Sequence, residues 1–240
     1  MGTIRTRNES ERTVGYNHSS YATDYVYTVD LHTHTRFFHG FEPGPTAYDP
    51  LGARLLGLFS QWHHLDGVAL TNHDYSPGYE SGTTETLFVP GIEISATAGH
   101  VLVVGPDPPR RTTPGELTPT EVVSLAHERG CAAIIAHPFR RSDVPESGAD
   151  FDAIEVNGKH PEDIERVREL ADALSLPIVG GSDAHYPFEV GRAFTRIEAS
   201  RLTPETVVTA IKTGRVDPCL RGTPLDRTLQ AGYRLIHRYR

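Results

Sequence analysis

The chain has 240 residues, with 23 Lys and Arg against 31 Asp and Glu, a net charge of −8 and only two cysteines. This charge argues against holding duplex nucleic acid through bulk electrostatics, and the two isolated cysteines exclude a disulfide framework or a zinc ribbon. No apolar run reaches the ~18 residues of a membrane span, so we expect a soluble α/β protein in a reducing cytoplasm.

Short apolar segments alternate with helical patterns along the chain. The predicted strands are residues 25–31, 67–71, 87–94, 100–104, 131–136, 152–156, 177–180 and 192–198. The predicted helices are residues 50–63, 119–129 and 161–175, followed by a helix that starts at Thr203–Pro204 and ends at Gly214. This alternation favours a mainly parallel sheet, either open or closed into a barrel.

The two ends of the chain differ from this pattern. Residues 1–24 are polar, and we expect a flexible N-terminal segment. Residues 221–240 carry five arginines, and apolar side chains recur there at helical spacing, namely Leu225, Leu229, Tyr233 and Ile236. This pattern predicts a C-terminal amphipathic helix or tail that packs on the barrel.

The first predicted strand ends in two histidines, His32 and His34, that are separated by one residue. Residues i and i+2 of a strand project to the same side. Two neutral imidazoles on one side form a natural pair of metal ligands. On its own, this pattern fits two solvated histidines at a strand end equally well.

Histidines and carboxylates recur near the ends of later predicted strands, where barrels carry their chemistry. They are His73, Glu93, His100, His137, Asp183 and His185. Each has an ordinary structural interpretation when taken alone, such as a helix N-cap for Asp183. Grouping unpaired polar side chains on one barrel face would gain nothing from packing, whereas a metal cluster explains them together.

These motifs, in this order, resemble those of the PHP (polymerase and histidinol phosphatase) family. They are DLHTHT (30–35), TNHD (71–74), GIEIS with GHVLVVG (91–105), IAHP (135–138) and GSDAH (181–185). The resemblance implies a distorted (β/α)7 TIM-like barrel over residues 25–220, with two to three divalent metal ions. One motif departs from the family, which often has TDH where this chain has Thr71, Asn72, His73 and Asp74.

Carried over by position, the resemblance implies three overlapping sets of metal ligands. The first set is His32, His34, Glu93 and Asp183. The second set is Glu93, His100 and His137, with Glu93 as the bridge. The third set is His73, His185 and the loop residue His39. Glu93, Asp183 and His185 are the expected catalytic residues.

Mixed imidazole and carboxylate ligands favour Zn, Mn or Fe over Mg or Ca. Such metals attract phosphate to an acidic protein and activate water as a nucleophile near neutral pH. Arginine suits bidentate phosphate contact. We expect Arg140, which follows His137, to bind substrate, with Asn157, Arg110 and Arg111 as further candidates and Lys159 as a weaker one.

The expected function is a metal-dependent phosphoesterase that hydrolyses a small phosphate ester. A nucleotide, a short oligonucleotide or a phosphorylated metabolite such as histidinol phosphate would fit. Three alternatives stay open: an amidohydrolase, a two-metal nuclease barrel and a catalytically silent binding module. The amidohydrolase commonly needs a carbamylated lysine before the later histidines, but Lys159 and Lys212 both follow His137. The sequence leaves the oligomeric state open.

Overall fold

The structure, a computed structural model, describes residues 11–13, 26–36, 44–79 and 85–221. The predicted metal ligand His39 and residues 222–240 of the predicted C-terminal helix lie outside the described residues, as does most of the predicted N-terminal segment. Within that segment, Glu11–Thr13 form a short strand.

Ten strands form one sheet. In chain order they are β1 (Glu11–Thr13), β2 (Val26–Thr33), β3 (Gly67–Leu70), β4 (Leu87–Ala96), β5 (Gly99–Val104), β6 (Ala132–Ile135), β7 (Ala153–Asn157), β8 (Ile178–Gly181), β9 (Ala193–Glu198) and β10 (Val216–Arg221). Their order across the sheet is β1-β10-β9-β2-β3-β4-β5-β6-β7-β8.

The segment after β8 returns to β2 and nearly closes the sheet into a barrel. Thr33 and Ala184 form a parallel bridge, and the His34 amide donates to the Ala184 carbonyl at 2.9 Å. The α/β, TIM-like barrel predicted from the sequence is therefore confirmed.

The sheet is mixed, whereas the alternation of strands and helices favours mainly parallel pairing. β2–β3–β4 and β6–β7–β8 are parallel, but β4–β5–β6 and β2–β9–β10 are antiparallel. Only Thr97 and Ala98 separate β4 from β5. A parallel crossover needs a dozen or more residues, so this short connection allows only a hairpin.

Four α-helices occur in the described residues: α1 (Asp49–Trp62), α2 (Pro119–Glu128), α3 (Ile164–Leu174) and α4 (Pro204–Lys212). Thr118 and Glu121 cap α2 reciprocally, and Thr203 caps α4 after the same Thr–Pro start. No helix in the described ranges has both the length and the apolar character needed to cross a bilayer.

Alternate side chains of the central strands enter two different core clusters. Val101 and Ile135 pack in the cluster beneath α2 and α3, whereas Leu102 and Ile134 pack in the cluster that includes Ile211 of α4. Both faces of these strands are buried, which explains their continuous apolar sequences. The rigid barrel places the polar strand ends at one rim.

Candidate metal centre

A group of histidines and carboxylates, most of them buried, gathers where several strands end. His32 lies on β2 and His34 follows it, Glu93 lies on β4 and His100 on β5, and His137, Asp183 and His185 follow β6 and β8. His73 follows β3 and bridges the backbone of Glu93. The structure thus brings together eight of the nine predicted ligands, and the ninth, His39, lies outside the described residues.

Glu93 is the centre of this group and is completely buried. Its Oε2 atom faces the nitrogens of three imidazoles, at 3.2 Å for His32, 3.4 Å for His34 and 3.0 Å for His73. Its Oε1 atom faces His100 at 2.7 Å and His137 at 3.0 Å. The two oxygens thus face separate sets of histidines, an arrangement that suits a carboxylate shared by two cations.

Asp183 is the second buried carboxylate of the group. Its Oδ1 atom lies 3.3 Å from His34 Nε2 and 3.2 Å from His185 Nδ1. Two cationic side chains also reach it, with Lys159 Nζ 3.2 Å from Oδ1 and Arg140 Nη1 3.2 Å from Oδ2. Asp183 has a left-handed backbone (φ 53°), an uncommon conformation that is often found at functional sites.

The electrostatics keep both carboxylates charged. Burial alone would raise the pKa of Glu93, but the facing imidazoles of His73, His32 and His100 outweigh burial and hold the pKa well below its usual range. Burial likewise opposes ionisation of Asp183, but Lys159, His32 and His185 hold its pKa well below the usual range.

The pKa values of two of the imidazoles shift in opposite directions. Burial, with the neighbouring His185, lowers the pKa of His34 well below its usual value, so this ring is neutral and offers a lone pair. Burial would also lower the pKa of His32, but Glu155, Glu93 and Asp183 raise it well above the usual value. The pocket between these carboxylates therefore attracts positive charge.

Three buried polar atoms at the centre, His32 Nε2, His34 Nε2 and Glu93 Oε2, face one another without forming hydrogen bonds. Buried polar side-chain atoms are nearly always paired, so these three atoms are suited to bind a shared cation. Three groups of residues each offer metal-ligand atoms that lie within 4.8 Å of one another inside the group. They are His32–His34–Glu93, His73–Glu93–His100 and His34–His73–His185. The residues present therefore fit divalent metals.

A second layer of contacts fixes two of the histidines. Glu155 Oε1 lies 2.8 Å from His32 Nδ1, and Glu155 Oε2 accepts the His137 amide at 2.8 Å. A carboxylate behind a ligating imidazole fixes the orientation and tautomer of that ring. Gly181 is needed here because a Cβ atom would overlap Glu155 Oε1 and His32 Cβ.

The altered second motif has a structural explanation. Asn72 accepts the Thr35 amide at 2.8 Å and donates to the Thr35 hydroxyl at 2.7 Å, which holds the segment after His34. Asp74 accepts the Ser95 amide at 3.0 Å and the Thr112 hydroxyl at 2.8 Å. Asp74 thus supports the neighbouring loops, and only His73 of this motif reaches the ligand group.

The predicted substrate-binding residues lie in three different environments. Arg140 lies at the rim with 47% of its side chain exposed while it contacts Asp183. Asn157 is buried, and its amide group is occupied by Glu155 and by the Lys159 amide. Arg110 and Arg111 are exposed, and their backbones pair with the segment just after His73.

Lys159 is more central than the sequence indicates. Its side chain is only 4% exposed, and Nζ lies 2.7 Å from His185 Nδ1 as well as close to Asp183. A cavity of about 90 Å³ opens beside this group, lined by His137, Phe139, Arg140, Asn157, His160 and Val167 among others.

A family model described as PHP-associated matches residues 161–216, which include Asp183 and His185. No curated protein matches the chain in sequence.

Solved structures share the fold. PsfC from Pseudomonas syringae is 21% identical and has a TM-score of 0.66, covering 88% of this chain and 98% of that one. A two-domain Bacteroides vulgatus protein containing a predicted PHP-like metal-dependent phosphoesterase is 17% identical (TM-score 0.55, covering 82% of this chain and 65% of that one). The lesion-specific endonuclease PfuEndoQ from Pyrococcus furiosus is 18% identical (TM-score 0.55, covering 79% and 56%).

Proposed function

We propose that this chain is a metal-dependent phosphoesterase of the PHP family acting on a small phosphate ester. The PHP-associated match over residues 161–216 and the fold shared with a PHP-like protein support this proposal. The observation that carries the proposal is the division of the Glu93 oxygens between two sets of histidines. Two metal ions that a shared carboxylate holds close together can clamp a phosphoryl group.

The proposed ligands are those that the sequence predicted. His32, His34 and Asp183 would hold a first metal, His100 and His137 a second, and Glu93 would bridge them. His73 and His185, with His39, would complete a third set. Bound metals would neutralise phosphate charge and lower the pKa of a coordinated water. The donor chemistry favours Zn, Mn or Fe.

The other side chains have supporting roles in this proposal. Glu155 orients His32, while Arg140 and Lys159 place positive charge on the same side of Asp183. Substrate would approach past His73 and His100, whose side chains are 44% and 33% exposed. Asn157 acts through Glu155 and Lys159 because its own amide is occupied. A cytoplasmic location remains a prediction from the low cysteine content.

The proposal is tested by counting metals and measuring hydrolysis in the same preparation. Protein purified without chelator is expected to hold more than one metal ion per chain, and chelation should remove activity that Zn, Mn or Fe restores. The substrates are a nucleotide, a short oligonucleotide, histidinol phosphate and p-nitrophenyl phosphate. One metal per chain with full activity would contradict a multinuclear site, and metal binding without hydrolysis would favour a silent binding module.

Arg140 gives a second test. We expect Arg140→Ala to lower kcat/KM by about one to two decades, because a charge-assisted contact to phosphate contributes roughly 1.5–3 kcal/mol. Arg140→Lys should recover only part, since a point charge lacks the bidentate fork. Metal content should stay constant in both variants.

Arg141→Ala is the matched control, because Arg141 is the exposed neighbour and carries the same charge. Equal kcat/KM in wild type and both Arg140 variants would place Arg140 outside the substrate contacts. Arg110 and Arg111 would then be the next candidates.

A further inference from the structure

Helix α1 presents an apolar stripe to solvent. Tyr48, Leu51, Leu58 and Trp62 are 77%, 56%, 49% and 70% exposed, and the half-buried Leu55 lies between them. Their spacing alternates between three and four residues, so they share one face of the helix. Contiguous exposed apolar surface of this kind usually marks a contact site.

The chain leaves the described structure beside one end of this stripe. Arg221, the last residue of β10, donates from Nη2 to the carbonyl of His63 at 3.0 Å. His63 is the residue that ends α1, directly after Trp62. The side chain of Arg221, the last described residue, therefore reaches the C-terminal end of α1.

The sequence of this segment matches a helix of the required length and polarity. Thr223–Pro224 repeats the Thr–Pro start that opens α2 and α4. Leu225, Leu229, Tyr233 and Ile236 then recur on one face. A helix over residues 224–240 would be about 25 Å long at about 1.5 Å per residue, enough to span the 14 residues of α1.

We propose that residues 222–240 form an amphipathic helix that lies antiparallel on the exposed face of α1. Its first apolar residue would meet Trp62 and its last would approach Leu51. The step from Leu225 to Ile236 equals the step from Leu51 to Trp62, so the two stripes run in register. A second copy of the chain is the less favoured occupant, because a directly tethered segment has a high effective concentration.

Helix α1 would link the proposed C-terminal helix to the candidate metal centre. The N-terminal half of α1 packs on the segment after His34, where a Cβ atom on Gly52 would overlap the Thr35 carbonyl. In the proposed antiparallel orientation, the part of the segment that contains Arg234, Arg238 and Arg240 would lie toward this end of α1.

Disulfide trapping in the full-length chain tests the position and the direction. Trp62→Cys with Leu225→Cys and Leu51→Cys with Ile236→Cys are the in-register pairs, and Leu51→Cys with Leu225→Cys is the mismatched control. Cys131 and Cys219 are buried and serve as the background. We expect intrachain disulfides, located by mass spectrometry, in the two in-register pairs and not in the control. Disulfides only between chains, or equal trapping in all three, would overturn the proposal.

Trp62 provides an independent measurement because it is the only tryptophan. Leu229→Asp should uncover the stripe, move Trp62 emission to longer wavelength and increase its quenching by acrylamide. Gln230→Asp, on the polar side of the proposed helix beside Asp226 and Arg234, is the matched control and should leave both unchanged. Identical emission and quenching in wild type, Leu229→Asp and Gln230→Asp would contradict docking on this face.

Discussion

Glu93→Gln is expected to lower kcat/KM by about two to three decades and to reduce the metal bound per chain. The carboxylate faces two sets of histidines, and only its charge can hold two cations close together. The amide keeps the shape but loses that attraction, which corresponds to several kcal/mol of transition-state stabilisation. Hydrolysis, metal content and circular dichroism are measured on the same sample.

Glu116→Gln makes the same chemical change at an exposed position and should behave as wild type in all three measurements. The expected result separates chemistry from folding, because the circular dichroism spectrum should not change while activity falls. Activity within a few-fold of wild type would show that Glu93 is not a bridge between metals.

Glu155→Gln should weaken metal binding by about 10–100-fold while leaving the ligands themselves intact. Its Oε1 atom lies 2.8 Å from His32 Nδ1, so the carboxylate orients the ring and increases the basicity of the opposite nitrogen. Chelator competition measures the metal affinity, and hydrolysis is followed as metal is added back.

The two glutamates should respond differently to excess metal. Saturating metal should restore most of the activity of Glu155→Gln, because this residue acts through His32, but little of the activity of Glu93→Gln. Wild-type metal affinity in Glu155→Gln would contradict the orienting role, and failure of excess metal to rescue it would give Glu155 a more direct part in the reaction.

Much of the fold follows from local pattern. The eight predicted strands and the four helices predicted between residues 50 and 214 all appear, because buried strands require apolar runs and the Thr–Pro starts act within a few residues. The sequence pattern does not predict that β5 and β9 pair antiparallel with their neighbours. The hydrophobic pattern indicates which face of a strand is buried but not which neighbour the strand pairs with. Strand β10 is not among the predicted strands, because a proline and charged residues interrupt its apolar pattern.

The candidate site shows the same limit at the level of single residues. His32, His34 and Glu93 are predictable because their positions follow strand periodicity and ordered motifs. Lys159 is not, because a lysine in a loop is normally solvated. Only the tertiary structure brings it to Asp183. Asn157 is the opposite case. The sequence suggests a contact with substrate, but the side-chain amide is occupied by Glu155 and by the backbone amide of Lys159.

The closure of the barrel has an evolutionary consequence. The segment that joins β8 to β2 contains Asp183 and His185, and Ala184 between them exchanges backbone hydrogen bonds with His32 and His34. The proposed metal ligands therefore lie on the seam that completes the fold. Under the proposed function, a descendant that lost these ligands would also lose cations that join the two sides of the seam. Such a lineage would need compensating contacts there, and selection for a closed barrel would then favour keeping the ligand set even when the substrate changes.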